Sequence, residues 1–283
     1  VETEIYQAVK VDLNISRAVV FAMIQCFVCL LVQLSYKPRK KMESISQSQN
    51  VTSLFEARKP WVRAMGVFLV IFFVGTLAIL PLLCLVFSAL QGFPLLKVSE
   101  FIEALVRSLG LSVIVGGISL IVCLCGAYIL RHSRIKIVRA LIYFTSTLPV
   151  AVSSMVMGLA IILAFSGTDW IRNYMIGIVL VQTISILPLG FRILDERFSN
   201  IEVEVYRTAQ SLGASRVQQL IFIELPLLKK SMLLVLATGI GISLGESSSL
   251  LLFESQGRLT LPLWLFRLMA KYQFSEARAV GVV

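Results

Sequence analysis

Long apolar runs, parted by short polar and mostly basic segments, set the rhythm of this chain. Runs long enough to cross a bilayer as a helix, about 20 residues, cover Ile15 to Tyr36, Ala64 to Leu90, Gly110 to Leu130, Arg139 to Phe165, Asn173 to Ile193 and Ser231 to Phe253. Another begins near Ser275. Backbone amides in lipid must be satisfied within the span, which favours helices, and no series of short alternating strands competes with that reading. The pattern therefore predicts an all-α polytopic membrane bundle of about six to seven spans. The chain opens on Val1 rather than Met and stops at Val283 inside an apolar run, as expected of a piece truncated at both ends.

The longest polar interval, Lys37 to Pro60, is rich in Ser, Gln, Lys and Arg and reads as a linker. An internal echo gives it meaning. Lys10 to Val19 aligns without gaps with Lys271 to Val280, with Lys, Arg, Ala and Val coinciding, and each segment leads into an apolar run. The expected organisation is the last external segment and helix of a first half over residues 1–36, a cytoplasmic linker over 37–60, and a second half over 61–283 whose last helix is incomplete. Phe101 to Arg107 reads as a brief amphipathic helix on the external face. Arg258 to Phe266 reads as an external re-entrant or interfacial segment carrying Trp264.

Composition sharpens this picture. Of 283 residues, 57% are hydrophobic and 15% charged, against about a quarter charged in soluble domains. The net charge of +10 comes from bases at the ends of spans. One set of loops carries Lys37, Arg39, Lys40, Lys41, Arg58, Lys59 and Arg63, then Arg131, Arg134, Lys136 and Arg139, then Arg192, Arg197, Arg207, Arg216, Lys229 and Lys230. By the positive-inside rule these loops are cytoplasmic. Because the bases are dispersed, they speak for topology and anionic lipid headgroups, and no nucleic-acid partner is expected. Cys26, Cys29, Cys84, Cys123 and Cys125 all fall within apolar spans and read as small hydrophobes. With His132 as the sole histidine, no metal site is expected, and neither a catalytic constellation nor a phosphate-binding glycine loop stands out. No cofactor is implied.

The loop at about 194–230 carries the most informative polar segment. Tyr206 to Ser215 reads as a short helix and a glycine turn, followed by a second helix that ends at Pro226. Gly213 can take the left-handed conformation that stops a helix, and Ser215 or Ser211 can cap the next one. Leu212, Val217 and Leu220 supply apolar contacts. A compact helical knob on the cytosolic face suits docking to a soluble partner.

Within the spans, Glu246 stands beside Gly245 and Ser247 to Ser249. An acid at that depth is either hydrogen-bonded to neighbouring helices, the favoured reading, or an attractant for a cationic solute. Gly116, Gly117, Gly239, Gly241 and Gly245 read as close-packing positions. Pro149 and Pro188 are expected to bend their helices.

The segment around Gly213 resembles the cytoplasmic EAA loop of ATP-binding-cassette importer permeases of the binding-protein-dependent type. In that loop Glu-Ala-Ala precedes a spaced glycine and, further on, Leu-Pro. Setting Gly213 on the family glycine puts Arg207, Thr208 and Ala209 on the name-giving positions, where Ala209 alone matches. The Leu212, Gly213, Ala214, Ser215 core and Leu225-Pro226 fit. Glu4 to Ala8, Ser16 to Ala18, Gln210 to Gly213 and Thr260 to Pro262 are similar to the fused two-half thiamine (thiamine pyrophosphate) importer permeases, with the ferric-iron permease group next.

The resemblance implies a type I, MetI-like helix bundle in the bacterial cytoplasmic (inner) membrane. It implies a cytoplasmic ATPase dimer docking on Arg207, Thr208, Ala209, Leu212, Gly213, Ala214, Ser215 and Val217, and a periplasmic solute-binding protein outside. ATP hydrolysis would belong to the partner, so the chain itself is expected not to be an enzyme. A translocation path past Pro149, Ser153, Ser154, Gly158 and Glu246 is also implied. The competing class is an ion-coupled secondary transporter or channel, for which Glu246 is the candidate ion-handling group.

Overall fold

The computed structural model describes residues 2–12, 15–35, 60–92, 97–133, 135–165, 174–253 and 260–282. Apart from short breaks and turns, the chain is helical in these segments. The linker expected over 37–60 lies, except for Pro60, outside them, as does Arg258. The described chain divides into two compact units, residues 1–33 with 99–264, and residues 34–98 with 265–283.

The first unit begins with α1 (Glu2–Tyr6), which widens into a π turn, and α2 (Ile15–Ser35). Within this unit a long helix, α5 (Val98–His132), takes in the segment expected as a separate amphipathic helix at 101–107. No proline separates that segment from the apolar run and Gly110 is absorbed within the helix, so the backbone hydrogen bonds continue. The apolar run at 139–165, expected as one bent span, is instead two helices, α6 (Lys136–Ala151) and α7 (Ser154–Ala164). The bend expected from Pro149 becomes a break at Val152 and Ser153, both extended. Pro149 cannot donate to the preceding turn, and Ser153 supplies a hydroxyl to start a new helix.

α8 (Tyr174–Ser199) is the hub of the unit, with α6, α7 and α11 (Leu225–Gly245) packed on it. Small residues permit that approach. A Cβ on Gly190 of α8 would lie 2.9 Å from Cys123 Sγ and 3.1 Å from Val235. One on Gly239 of α11 would lie 3.2 Å from the Cα of Gly116 in α5. Gly241, by contrast, meets nothing within 4 Å.

Two apolar cores result. One gathers Ile5, Ala18, Leu111, Val115, Leu159, Val181 and Phe253. The other gathers Cys123, Ala127, Leu194, Phe198, Leu228 and Val235. The first residues of the chain are thus part of a core, with Ile5 and Ala18 fully buried. α12 (Ser248–Leu252) completes the unit against α7 and α8. Trp264, expected at headgroup depth, is buried and lies 6.2 Å from Phe101 between ring centres.

The second unit consists of α3 (Pro60–Val74), a π turn over Gly75–Ile79 and α4 (Leu80–Gly92), together with most of α13 (Leu261–Ala270) and α14 (Phe274–Gly281). α14 packs on α4. Phe68 and Phe72 stack at 6.2 Å and are exposed, as befits a helix meeting lipid. Among the described residues three helical stretches, Met65–Leu90, Val98–His132 and Met175–Ser199, are long and apolar enough to cross a membrane.

Candidate functional site

The elbow is built from α9 (Val203–Ser211) and α10 (Arg216–Gln219). Gly213 adopts φ +79°. Its N–H donates to the Gln210 carbonyl and that of Ala214 to the Ala209 carbonyl, each at 3.0 Å. Those two bonds make a Schellman stop, which satisfies the last carbonyls of α9. The next helix starts at once. Ser215 Oγ accepts from the Gln218 N–H at 3.4 Å, and Gln218 Oε1 accepts from the Ser215 N–H at 2.8 Å, closing a capping box. Ser211 plays no part in that cap, since its hydroxyl donates to the Thr208 carbonyl.

The apolar residues of this elbow are not where compaction would put them. Leu212 is 82% exposed and Val217 64% exposed, so neither packs within the chain. Arg207 and Thr208 are exposed too, the former 4.0 Å from Glu204. Only Ala209 of the three name-giving positions turns inward. Ala214 is half-buried, and its carbonyl accepts from Gln219 Nε2 at 2.9 Å.

Pro226 does not end the second helix, contrary to expectation. α10 runs through a π segment, Leu220–Glu224, directly into α11. The Leu225 N–H donates to the Leu220 carbonyl five residues back. That wider register lies just where the ring of Pro226 would otherwise crowd a carbonyl and where an N–H is missing.

Beneath the elbow lies a polar cluster that the sequence pattern alone did not disclose. Glu224, 1% exposed, places Oε1 3.3 Å from His132 Nε2. His132 Nδ1 lies 3.1 Å from the Tyr128 carbonyl. A carbonyl only accepts, so this contact is a hydrogen bond in the tautomer that carries the Nδ1 hydrogen. The His132 ring is 4.4 Å from that of Tyr128 and edge-on to Tyr206 at 6.3 Å. Arg131 covers Tyr206 at 5.8 Å and donates to the Ile201 carbonyl at 3.4 Å. Burial first, and then the Glu224 carboxylate, push the Tyr206 phenol up from 10.0 to about 12, against the pull of Arg131. The available signal was an acid, Glu224, within the mostly apolar run Leu220 to Leu228.

Of the residues proposed for the path, Ser154 and Glu246 meet. Ser154 Oγ lies 3.2 Å from Glu246 Oε2 and 3.3 Å from Ser185 Oγ of α8. Glu246 Oε1 accepts from the N–H groups of Ser248 at 3.0 Å and Ser249 at 3.3 Å, so the acid holds the start of α12. Ser153 instead caps α7 through the Val156 N–H, and Pro149 is buried at the end of α6. Gly158 is packed, a Cβ there lying 3.1 Å from Leu252 and 3.3 Å from Phe253. Nearby, Ser243 donates to Gln182 Oε1 at 2.7 Å, both side chains buried.

Comparison with known proteins adds a family. Residues 125–283 match the model of the binding-protein-dependent transport system inner membrane component. The chain is 26% identical over 284 residues to the thiamine transport system permease protein ThiP of Haemophilus influenzae, covering 98% of this chain and 52% of that protein. Against the protein of the same name from Escherichia coli it is 23% identical over 293 residues, covering 100% and 54%. Against a protein named as a putative 2-aminoethylphosphonate transport system permease, PhnV, of Salmonella typhimurium, it is 30% identical over 171 residues, covering 58% and 63%. The chain spans about half the length of the thiamine permeases it matches. The match extends over more than half of the chain and includes the elbow, the Glu224 cluster and Glu246; the chain belongs to the family of binding-protein-dependent transport system inner membrane components.

Proposed function

We propose that this chain is the membrane-spanning part of an ATP-driven importer for thiamine or its phosphates. Two cytoplasmic ATPase subunits would drive it, one seated on the elbow around Gly213, and an external solute-binding protein would deliver the solute. The observation that carries this reading is the exposure of Leu212 and Val217 on a doubly capped elbow beside basic cytosolic segments. Apolar side chains held out by a rigid turn in a polar loop suit a protein partner. The thiamine assignment is supported by relatives that align with nearly the whole chain, whereas the phosphonate relative covers 58% of it.

In this reading residues 1–36 close a first permease half, 37–60 link the halves and 61–283 belong to the second. The gap-free match of Lys10–Val19 with Lys271–Val280 supports such a duplication. Ser154 and Glu246, with Pro149, Ser153 and Gly158 around the adjoining breaks, would flank the solute path. Nucleotide would act by stabilising one of two membrane arrangements over the other.

The test is reconstitution of the parent permease with its ATPase and binding protein. Uptake of labelled thiamine that requires ATP supports the reading. Uptake driven by an ion gradient without the ATPase overturns it in favour of a secondary transporter, and ATP-dependent uptake of ferric iron or 2-aminoethylphosphonate in place of thiamine overturns the substrate assignment alone.

A further inference from the structure

We propose that Glu224, His132 and Tyr206 form the joint that passes movement of the elbow into α5 and α11, with Glu224 and His132 as positioning residues for coupling and not for ATPase capture. The inference rests on the transport reading above. Each member comes from a different element. His132 ends α5, Tyr206 lies on α9, and Glu224 closes the π segment that leads into α11. The groups facing the pair are Arg131 and Tyr128 from α5 and Tyr206 from α9. The joint lies on the inward side of the elbow, where Ala209 is buried, while Arg207, Thr208, Leu212 and Val217 face outward. Docking surface and joint are therefore separate groups of atoms on one short elbow.

The chemistry suits a contact that holds in one arrangement and lets go in another. Glu224 is almost wholly buried, and its Oε2, like the Tyr206 hydroxyl, has no hydrogen-bond partner among the described residues. A buried carboxylate with one oxygen engaged and the other uncommitted gains a bond from a small displacement of α9. The His132 Nε2 to Glu224 Oε1 contact, at 3.3 Å, is of hydrogen-bonding length, so it is directional and short in range.

The test separates capture from transmission. In a background with the five native cysteines replaced by serine, Ser247→Cys reports access at the α11–α12 break by maleimide labelling, with and without ATP. This is done on the permease assembled with its ATPase in proteoliposomes. Glu224→Leu and His132→Leu are expected to insert, to retain the ATPase and its hydrolysis, and to lose roughly tenfold of the ATP-driven change in labelling, the scale of an allosteric contact. Glu224→Gln and His132→Gln, which keep a hydrogen-bonding tip, restore most of that change. A full ATP response in both leucine variants overturns the joint, and so does loss of insertion or ATPase capture in them, which would make the pair a folding or docking element. Failure of the parent to capture an ATPase overturns the transport reading instead.

Discussion

Ser154 donates a hydrogen bond to Glu246 at 3.2 Å across 92 positions of sequence. The contact ties the start of α7, just after one helix break, to the residue at which α11 stops. Glu246 also takes two backbone N–H groups from α12, so the acid is engaged by donors within the protein. A carboxylate held in this way bridges two interrupted helices, which favours the structural reading of Glu246 over a solute contact.

Replacing Glu246 with leucine strands those donors and should lower stability by about 1–3 kcal/mol, seen as earlier thermal unfolding in detergent. Glu246→Gln keeps an acceptor and should leave uptake near that of the parent. Abolished uptake in the glutamine variant at unchanged melting temperature would instead make the carboxylate a solute contact.

Gly213 is the position in the elbow that demands glycine, because a β-branched side chain at φ +79° is strained by about 1–2 kcal/mol. Gly213→Val should insert normally and fail to co-purify the ATPase. Leu212→Ser and Val217→Ser, both at exposed positions, should change stability by less than about 0.5 kcal/mol and still weaken capture. Normal co-purification with all three variants would remove the elbow as the docking site.

The glycines of α11 should respond unequally. Gly239→Ala forces α11 away from the backbone of Gly116 and should destabilise by about 1–3 kcal/mol. Gly241→Ala meets open space and should be neutral or stabilising by up to about 1 kcal/mol through helix propensity. Melting of the two variants side by side checks this, and equal losses would contradict the packing described for α5 and α11.

The raised Tyr206 phenol has a defined effect at alkaline pH. Its neutral form is favoured in the folded chain, so between the ordinary 10.0 and about 12 the unfolded chain loses this proton first. Stability therefore falls as pH rises through that window. Tyr206→Phe should flatten this part of the profile relative to the parent, as measured by thermal unfolding from about pH 9 upward, and identical slopes would place Tyr206 in a freely solvated setting.

Much of this was legible in the chain. Apolar run length anticipated α2, α5, α8 and the path of α3 into α4, and Gly213 with Ser215 announced the turn and cap because such chemistry is local. Breaks and continuations were harder. Pro149 and Pro226 carry the same covalent restriction, yet one precedes an end to its helix and the other sits in an unbroken one. The neighbouring backbone makes the difference: an extended pair capped by Ser153 stands after the first ring, and a π widening stands before the second. The Glu224, His132 and Tyr206 cluster was illegible for another reason. Its members come from three separate elements, and the fold brings them together.

The unbroken passage from Arg216 to Gly245 has a mechanical consequence. At 1.5 Å per residue it is a helical lever of roughly 45 Å, with the elbow at one tip, the Glu224 joint part-way along and the Glu246 break at the other. Under the proposed docking, a thrust on the elbow would reach the tip that Glu246 pins only while the Glu224 joint holds the lever in line.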